Sequence, residues 1–227
     1  MGNWPVQGIV VVGAGGFGRE VASLLFELRS RGVGFGDIGV VDDRPSMANR
    51  ARLHSLGVPL IGTVDDLVRN CRETPVVLAI GSATARRAIA DRLSVTDATF
   101  PILVHPQASV GAGVTLGEGS VICAGARLSA QIRVGRHVHV DQNATVGHDC
   151  DLEDFVRLNP QSCVSGDVTL ETGSLVGANA TILQGLRVGG HTLVGAGAVV
   201  THDLPAGVVA SGVPARVHAR VVAAQAG

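Results

Sequence analysis

The sequence predicts two folds in one chain: a small α/β domain over residues 1–100 and a solenoid of flat parallel β-coils over residues 101–227. Three observations carry that expectation. From Val104 to Val200 every sixth residue is Val, Leu or Ile, seventeen in succession without a slip. A period of six is neither helical nor a simple strand alternation. It belongs to hexapeptide solenoids, in which three repeats close one triangular coil. Near the N-terminus, the apolar run from Gly8 to Val12 ends in Gly13-Ala14-Gly15-Gly16-Phe17-Gly18 and passes into a helical pattern, which is strand, glycine turn, helix. Finally, Tyr is absent and aromatics make up 3% of the chain, which suits a narrow interior filled by Val, Leu and Ala.

Taking the solenoid first, the anchors are expected to fill the prism. Residues four past each anchor are small or apolar, among them Val114, Ser120, Ala126, Ile132, Val138, Ala144, Cys150 and Val156, and should fit its corners. Glycine follows the anchor at Gly111, Gly117, Gly135, Gly147, Gly177, Gly189 and Gly195, where it is expected to supply backbone angles barred to other residues. Residues eighteen apart should stack about 4.8 Å from one another. A β-sandwich needs strands and turns of varied length, which a strict six-residue phase does not fit. The tail, with Asp203-Leu204-Pro205-Ala206-Gly207 and Pro214-Ala215-Arg216, should cap the last coil and shield its strand edge, with Arg216 within reach of an anionic ligand.

In the α/β domain, Val21, Leu24, Leu25 and Leu28 share one face of the first helix. A second strand, Ile38 to Val41, closes on Asp42-Asp43; a third, Val76 to Ile80, ends in Gly81-Ser82 before a helix from Ala83 to Leu93. The glycines let a backbone approach a phosphate at the positive end of the helix, and acids at the carboxyl end of the second strand face the crevice of an open α/β sheet. By motif alone NAD is the first reading. The unit is about half of a dinucleotide (Rossmann-like) fold, however, and no hydride-transfer site follows it, so a single nucleotide or nucleotide-sugar fits better.

Composition sets bounds on the function. The net charge of −1 points to no nucleic-acid or membrane-surface partner. The four cysteines, Cys71, Cys123, Cys150 and Cys163, lack metal-ligand spacing and read as reduced thiols, Cys123 and Cys150 in or near the core. No basic, apolar and cleavable leader precedes the first strand and no stretch is long and apolar enough to span a bilayer, so a cytoplasmic protein without a metal is expected.

Eight histidines are present. His54, His105, His202 and His218 fall in loops or at domain edges, and His137, His139 and His191 on outward solenoid positions expected at the surface. His148 differs by context. In Val146-Gly147-His148-Asp149-Cys150 it lies two past an anchor and points outward, and its stacked neighbours Ala130 and Gly166 are small enough to leave room for a substrate. Asp149 is adjacent and would fix the ring's tautomer or raise its basicity if the corner brings the two together.

Gly13-Ala14-Gly15-Gly16, Val41-Asp42-Asp43, Ala79-Ile80-Gly81, Asn143 through Cys150, Gly195-Ala196-Gly197-Ala198-Val199-Val200 and Gly212-Val213-Pro214-Ala215-Arg216, taken in order, resemble the sugar acetyltransferases of the left-handed β-helix class. The nearest subgroup comprises the UDP-4-amino-sugar N-acetyltransferases of bacillosamine biosynthesis and the sialic acid O-acetyltransferases. The resemblance implies a homotrimer with acetyl-CoA in the groove between neighbouring β-helices. It puts the catalytic histidine at His148 and the acid that tunes it at Asp149. Acetyl-CoA contacts fall on Arg157, Ala178 and Ala196, and nucleotide-sugar contacts on Gly15, Gly16, Phe17, Asp42, Asp43 and Gly81. Three positions depart from the subgroup: Asp149 where it carries Glu, Arg157 where it carries His, and Phe17 where many relatives carry His.

The expected activity is direct transfer of acetyl from acetyl-CoA to the amine of a UDP-linked amino sugar, with His148 as general base. Within the class the alternative is O-acetylation of a sialic acid or another sugar hydroxyl. From another class, the alternative is a non-catalytic trimeric scaffold that binds a nucleotide.

Overall fold

The computed structural model describes residues 8–221. They form two compact units divided after Pro101. The first runs β1 (Gly8–Val12), α1 (Gly16–Ser30), β2 (Asp37–Val41), α2 (Met47–Ser55), β3 (Leu60–Gly62), α3 (Val64–Asn70), β4 (Val76–Leu78) and α4 (Ala83–Leu93). Its sheet has the order β3-β2-β1-β4, with the strand pairs parallel. Central strands of this kind are covered on both faces, which is why β1 and β2 read as nearly unbroken apolar runs. Val10, Val12, Val41, Val76 and Leu78 form their core with Leu67 and Leu93.

Sequence periodicity found β1, β2, β4, α1 and α4, but missed three elements. β3 has only three residues, too few for a period. In α2 only Leu53 is buried, so the helix shows no apolar stripe. Both α2 and α3 are marked instead by their caps. Ser46 accepts the Asn49 N–H, while Thr63 and Asp66 bond reciprocally. The Thr63 N–H and hydroxyl, helped by Arg69, hold the Asp66 carboxyl down at about 2.

The second unit is a triangular β-helix whose coils stack in parallel register, eighteen residues apart (Thr145↔Cys163, Val146↔Val164). Face I contains His139–Val140 and Arg157–Leu158, face II Thr145–Val146 and Cys163–Val164, and face III Asp151–Leu152 and Thr169–Leu170. Every anchor from Ile122 to Val200 is buried, with the apolar residues four past most anchors, such as Ala126, Ile132, Ala144 and Val156, beside them in one core. The first coil differs: Val110 is 40% exposed and Val104 and Leu116 are only half-buried, since an end coil stacks on one neighbour rather than two. At the other end the strand Val208–Ser211 extends face I, Arg216–Arg220 pairs antiparallel to it, and Leu204, Ala210 and Ala215 fill the core.

Two expectations about this unit are corrected. The glycines that follow the anchors do not supply positive φ. A methyl on Gly111 would lie 1.5 Å from the Ser129 carbonyl oxygen, and on Gly147 2.5 Å from the Gly166 nitrogen, so these glycines permit close approach of the next coil. The left-handed residue is the third past the anchor, and there Gln131, His137, Asn143, Asp149, Phe155 and others adopt φ near 55–60°. The second correction concerns His137 and His139, which are buried rather than superficial. His137 stands in the column of left-handed residues, with its ring against Gly119 on one side and stacked on Phe155 at 5.2 Å on the other. His139 pairs in register with Val121 and Arg157 on face I.

Candidate active site

The His148 corner leaves face II after Val146. Gly147 brings the chain against the next coil, and Asp149 takes the left-handed conformation at φ 59°, which Asp tolerates better than most residues. The turn is pinned from both sides: the Asp149 N–H donates to the Ala130 carbonyl (3.1 Å) and the Asp167 N–H to the His148 carbonyl (2.8 Å). This bend turns the two adjacent side chains toward each other, and His148 Nδ1 stands 2.7 Å from Asp149 Oδ2. Both side chains remain more than half exposed. With Asp149 accepting from Nδ1–H, the imidazole presents Nε2 as its basic nitrogen.

The ring lies against the glycine of the next coil. A methyl on Gly166 would stand 2.7 Å from both Cε1 and Nε2, so the imidazole already occupies the space above Gly166 that the sequence reading left for a substrate. The Gly166 N–H donates to no acceptor among the described residues. Cys150 points inward, its thiol 3.1 Å from the Ser165 carbonyl, and burial pushes that thiol up. Face II beside Gly147 carries a groove of about 470 Å³ lined by Ser109, Arg127, Ser129, Thr145 and Cys163. Sequence reasoning missed these residues. For Ser109, Arg127, Thr145 and Cys163 the signal is the position just before an anchor, repeated every eighteen residues.

The acetyl-CoA contacts expected from resemblance are not gathered around His148 within one chain. Ala178 and Ala196 follow face I strands on neighbouring coils, at the edge of face II opposite His148. Arg157 is on face I, and its guanidinium is engaged by the buried Asp141 carboxylate, Nη2 to Oδ2 2.7 Å and Nε to Oδ2 3.2 Å. That ion pair ties Arg157 to the preceding coil.

In the first unit the glycine turn sorts by role. Gly13 (φ 115°) approaches the Ala79 carbonyl and Gly18 the Gly13 carbonyl, so both are demanded by packing, whereas Gly15 and Gly16 face open space. Asp42, expected to meet a base or ribose, also holds the turn: Oδ2 accepts the Ala14 N–H (2.7 Å) and Oδ1 the Arg44 N–H (2.8 Å). Arg19 fastens the other side, donating to the Ala14 carbonyl and to Asn49 Oδ1. Asp43 accepts the Val64 N–H at the start of α3 through Oδ1 and leaves Oδ2 4.0 Å from Arg92. Phe17 is 8% exposed and lies on the buried side of α1. Gly81 and Ile80 present carbonyls to Arg86, a fully buried guanidinium that no pattern in the sequence singled out.

Comparison with known proteins agrees with this geometry. Residues 8–93 match the family described as the PglD N-terminal domain. The acetyltransferase domain of PglB from Neisseria gonorrhoeae FA1090 superposes with a TM-score of 0.83 at 33% identity, covering 92% of this chain and 98% of that one. A histidine variant of perosamine N-acetyltransferase from Caulobacter crescentus, solved with CoA and GDP-perosamine, gives 0.81 at 30% identity, covering 93% and 97%. The 2,3,4,5-tetrahydropyridine-2,6-dicarboxylate N-acetyltransferase of Staphylococcus aureus (strain JH9) is 42% identical over 83 residues, 37% of this chain. That match spans 30% of the relative's length. With both units matched over nearly their whole length, the chain belongs to the hexapeptide-repeat, left-handed β-helix family of sugar N-acetyltransferases.

Proposed function

We propose that the protein transfers acetyl from acetyl-CoA to the amine of a nucleotide-linked amino sugar, with His148 as general base. The observation that carries this reading is the exposed imidazole whose Nδ1 is held by Asp149, with Nε2 beside an uncommitted backbone N–H. His148 Nε2 takes a proton from the acceptor amine as its lone pair attacks the thioester carbonyl. The carbonyl oxygen gains charge and accepts from the Gly166 N–H, and Asp149 stabilises the imidazolium. Collapse of the tetrahedral intermediate expels CoA, which leaves with a proton. Cys150 offers no support for a covalent acyl-enzyme, because its thiol points inward and burial raises it further above the thiolate range.

In this reading residues 1–100 hold the nucleotide-sugar. The open space over Gly15 and Gly16, at the start of α1, suits a phosphate, and Asp42 keeps the turn in shape. Asp43 and Gly81 remain as contacts from resemblance. The GDP-linked sugar in the Caulobacter relative supports a nucleotide-linked acceptor; UDP as the nucleotide follows from the resemblance to the bacillosamine-pathway enzymes. Ala178 and Ala196 stand across face II from His148, so an acetyl-CoA groove that uses all three needs a second copy, in keeping with a homotrimer. No described helix is long and apolar enough to cross a membrane.

The test is release of free thiol from acetyl-CoA against a panel: UDP-, GDP- and dTDP-linked 4-amino-6-deoxy sugars, the free amino sugar, and free and CMP-linked sialic acid. Turnover with the UDP-linked amine is expected. Turnover with sialic acid alone would move the protein to hydroxyl acetylation, and no turnover anywhere would refute an acetyltransferase acting on these sugars.

A further inference from the structure

We infer that Gly166 is a positioning residue for His148: the absence of a side chain there seats the imidazole against the next coil in the one pose that also reaches Asp149. The inference rests on His148 being the base. The ring reaches across the eighteen-residue step and lies over Gly166, so that a methyl at this position would stand 2.7 Å from Cε1, 2.7 Å from Nε2 and 3.2 Å from Cδ2. Separations under 3 Å are not sustained between carbon or nitrogen atoms without movement, and here the part that moves is the tip of a rotatable side chain. Turning the ring off Gly166 swings Nδ1 away from Asp149 Oδ2, now at 2.7 Å. One pose therefore depends on two residues, an acid that fixes one nitrogen and a glycine that leaves space for the other.

Gly147 provides the contrast. A methyl there would meet backbone, the Gly166 nitrogen at 2.5 Å and the Ser165 carbonyl carbon at 2.6 Å. Backbone in a stacked coil does not rotate aside, so Gly147→Ala strains the β-helix itself. Gly166→Ala leaves the coil intact, and it keeps the backbone N–H at position 166. Its effect thus reports the placement of the ring, separately from loss of an oxyanion donor.

The experiment compares Gly166→Ala with the parent by two readouts. The first is the ¹⁵N spectrum of the imidazoles in unliganded protein, with His148 assigned by difference from His148→Asn. The second is kcat and KM with acetyl-CoA and the best acceptor. The expected result is a lost or shifted His148 tautomer signal and kcat lowered about a hundredfold, the scale of a misplaced catalytic group. KM for acetyl-CoA and the melting temperature should stay close to those of the parent, while Gly147→Ala melts lower. An unchanged imidazole spectrum overturns the inference, whether or not kcat falls. A changed spectrum in a protein whose parent turns over no acceptor upholds the seat while refuting the proposed activity.

Discussion

Two corners of the same triangular coil have nearly the same backbone but different chemistry. At the corner between faces III and I, the adjacent coil supplies carboxylates to the outward N–H groups. Arg136 N–H donates to Asp154 Oδ1 (2.7 Å), Thr172 N–H to Glu153 Oε2 (2.9 Å) and Gly190 N–H to Glu171 Oε2 (2.8 Å). At the corner between faces II and III, the equivalent N–H groups of Ala130, His148 and Gly166 have no acceptor among the described residues. The difference lies largely in one position, the residue after the anchor: Glu153 and Glu171 at the first corner, Ser129, Gly147 and Ser165 at the second. A backbone donor satisfied from within is unavailable to a ligand, whereas an exposed, unsatisfied one is ready to bind a developing oxyanion. Acids thus engage these three N–H groups at one corner and leave their equivalents at the other open.

The strongest way to break this contrast is to remove the one side chain that makes the open corner reactive. His148→Asn should lower kcat by about 10²- to 10⁴-fold, the range for loss of a positioned general base. The side chain is 57% exposed and fills no core, so the melting temperature should stay within about 2 °C of the parent, as for a surface change. Retained turnover would show that the open corner is not the catalytic one.

Next in size is the partner of that histidine. Asp149→Asn keeps a residue that tolerates the left-handed backbone but removes the charge facing Nδ1. Hydrogen bonds to charged groups contribute roughly 1.5–3 kcal/mol, so kcat should fall about tenfold or somewhat more, with KM for acetyl-CoA little changed. A variant as fast as the parent would reduce Asp149 to a turn residue.

Much of this architecture was legible because it is periodic. The six-residue register of the anchors determines which residues face inward, and the eighteen-residue step names Ala130 and Gly166 as the neighbours of His148. What periodicity could not convey is where a long side chain goes after leaving the backbone. Arg157 has an outward position, yet its guanidinium folds back onto Asp141; His137 is outward too, yet stacks on Phe155. The imidazole of His148 likewise lies over Gly166, one of its two small neighbours. In the α/β unit the glycine motif was visible, but two of its glycines serve packing and its acid serves the turn. A motif records which residues are required and leaves open whether ligand or backbone requires them.

The smallest predicted effect is on the closed corner, and its pH dependence gives it a signature. The Arg187 guanidinium and the Gly190 N–H hold the Glu171 carboxyl below the usual range for Glu. A carboxyl lowered in the folded state contributes stability above its unfolded value of about 4.3, and that contribution is lost as the pH falls below it. Glu171→Gln keeps an acceptor for Gly190 but discards the charge. At neutral pH it should cost no more than about 1 kcal/mol, because the Arg187 side chain is largely exposed and the pair is screened, which corresponds to about 2–4 °C in melting temperature. Parent and variant should converge as the pH drops from 5 toward 3, and the gap at pH 7 should narrow in high salt. Turnover should be unaffected, since this corner bears no catalytic group. A gap that persists at pH 3 would mean that Glu171 stabilises the coil by packing, and that charge is not what closes this corner.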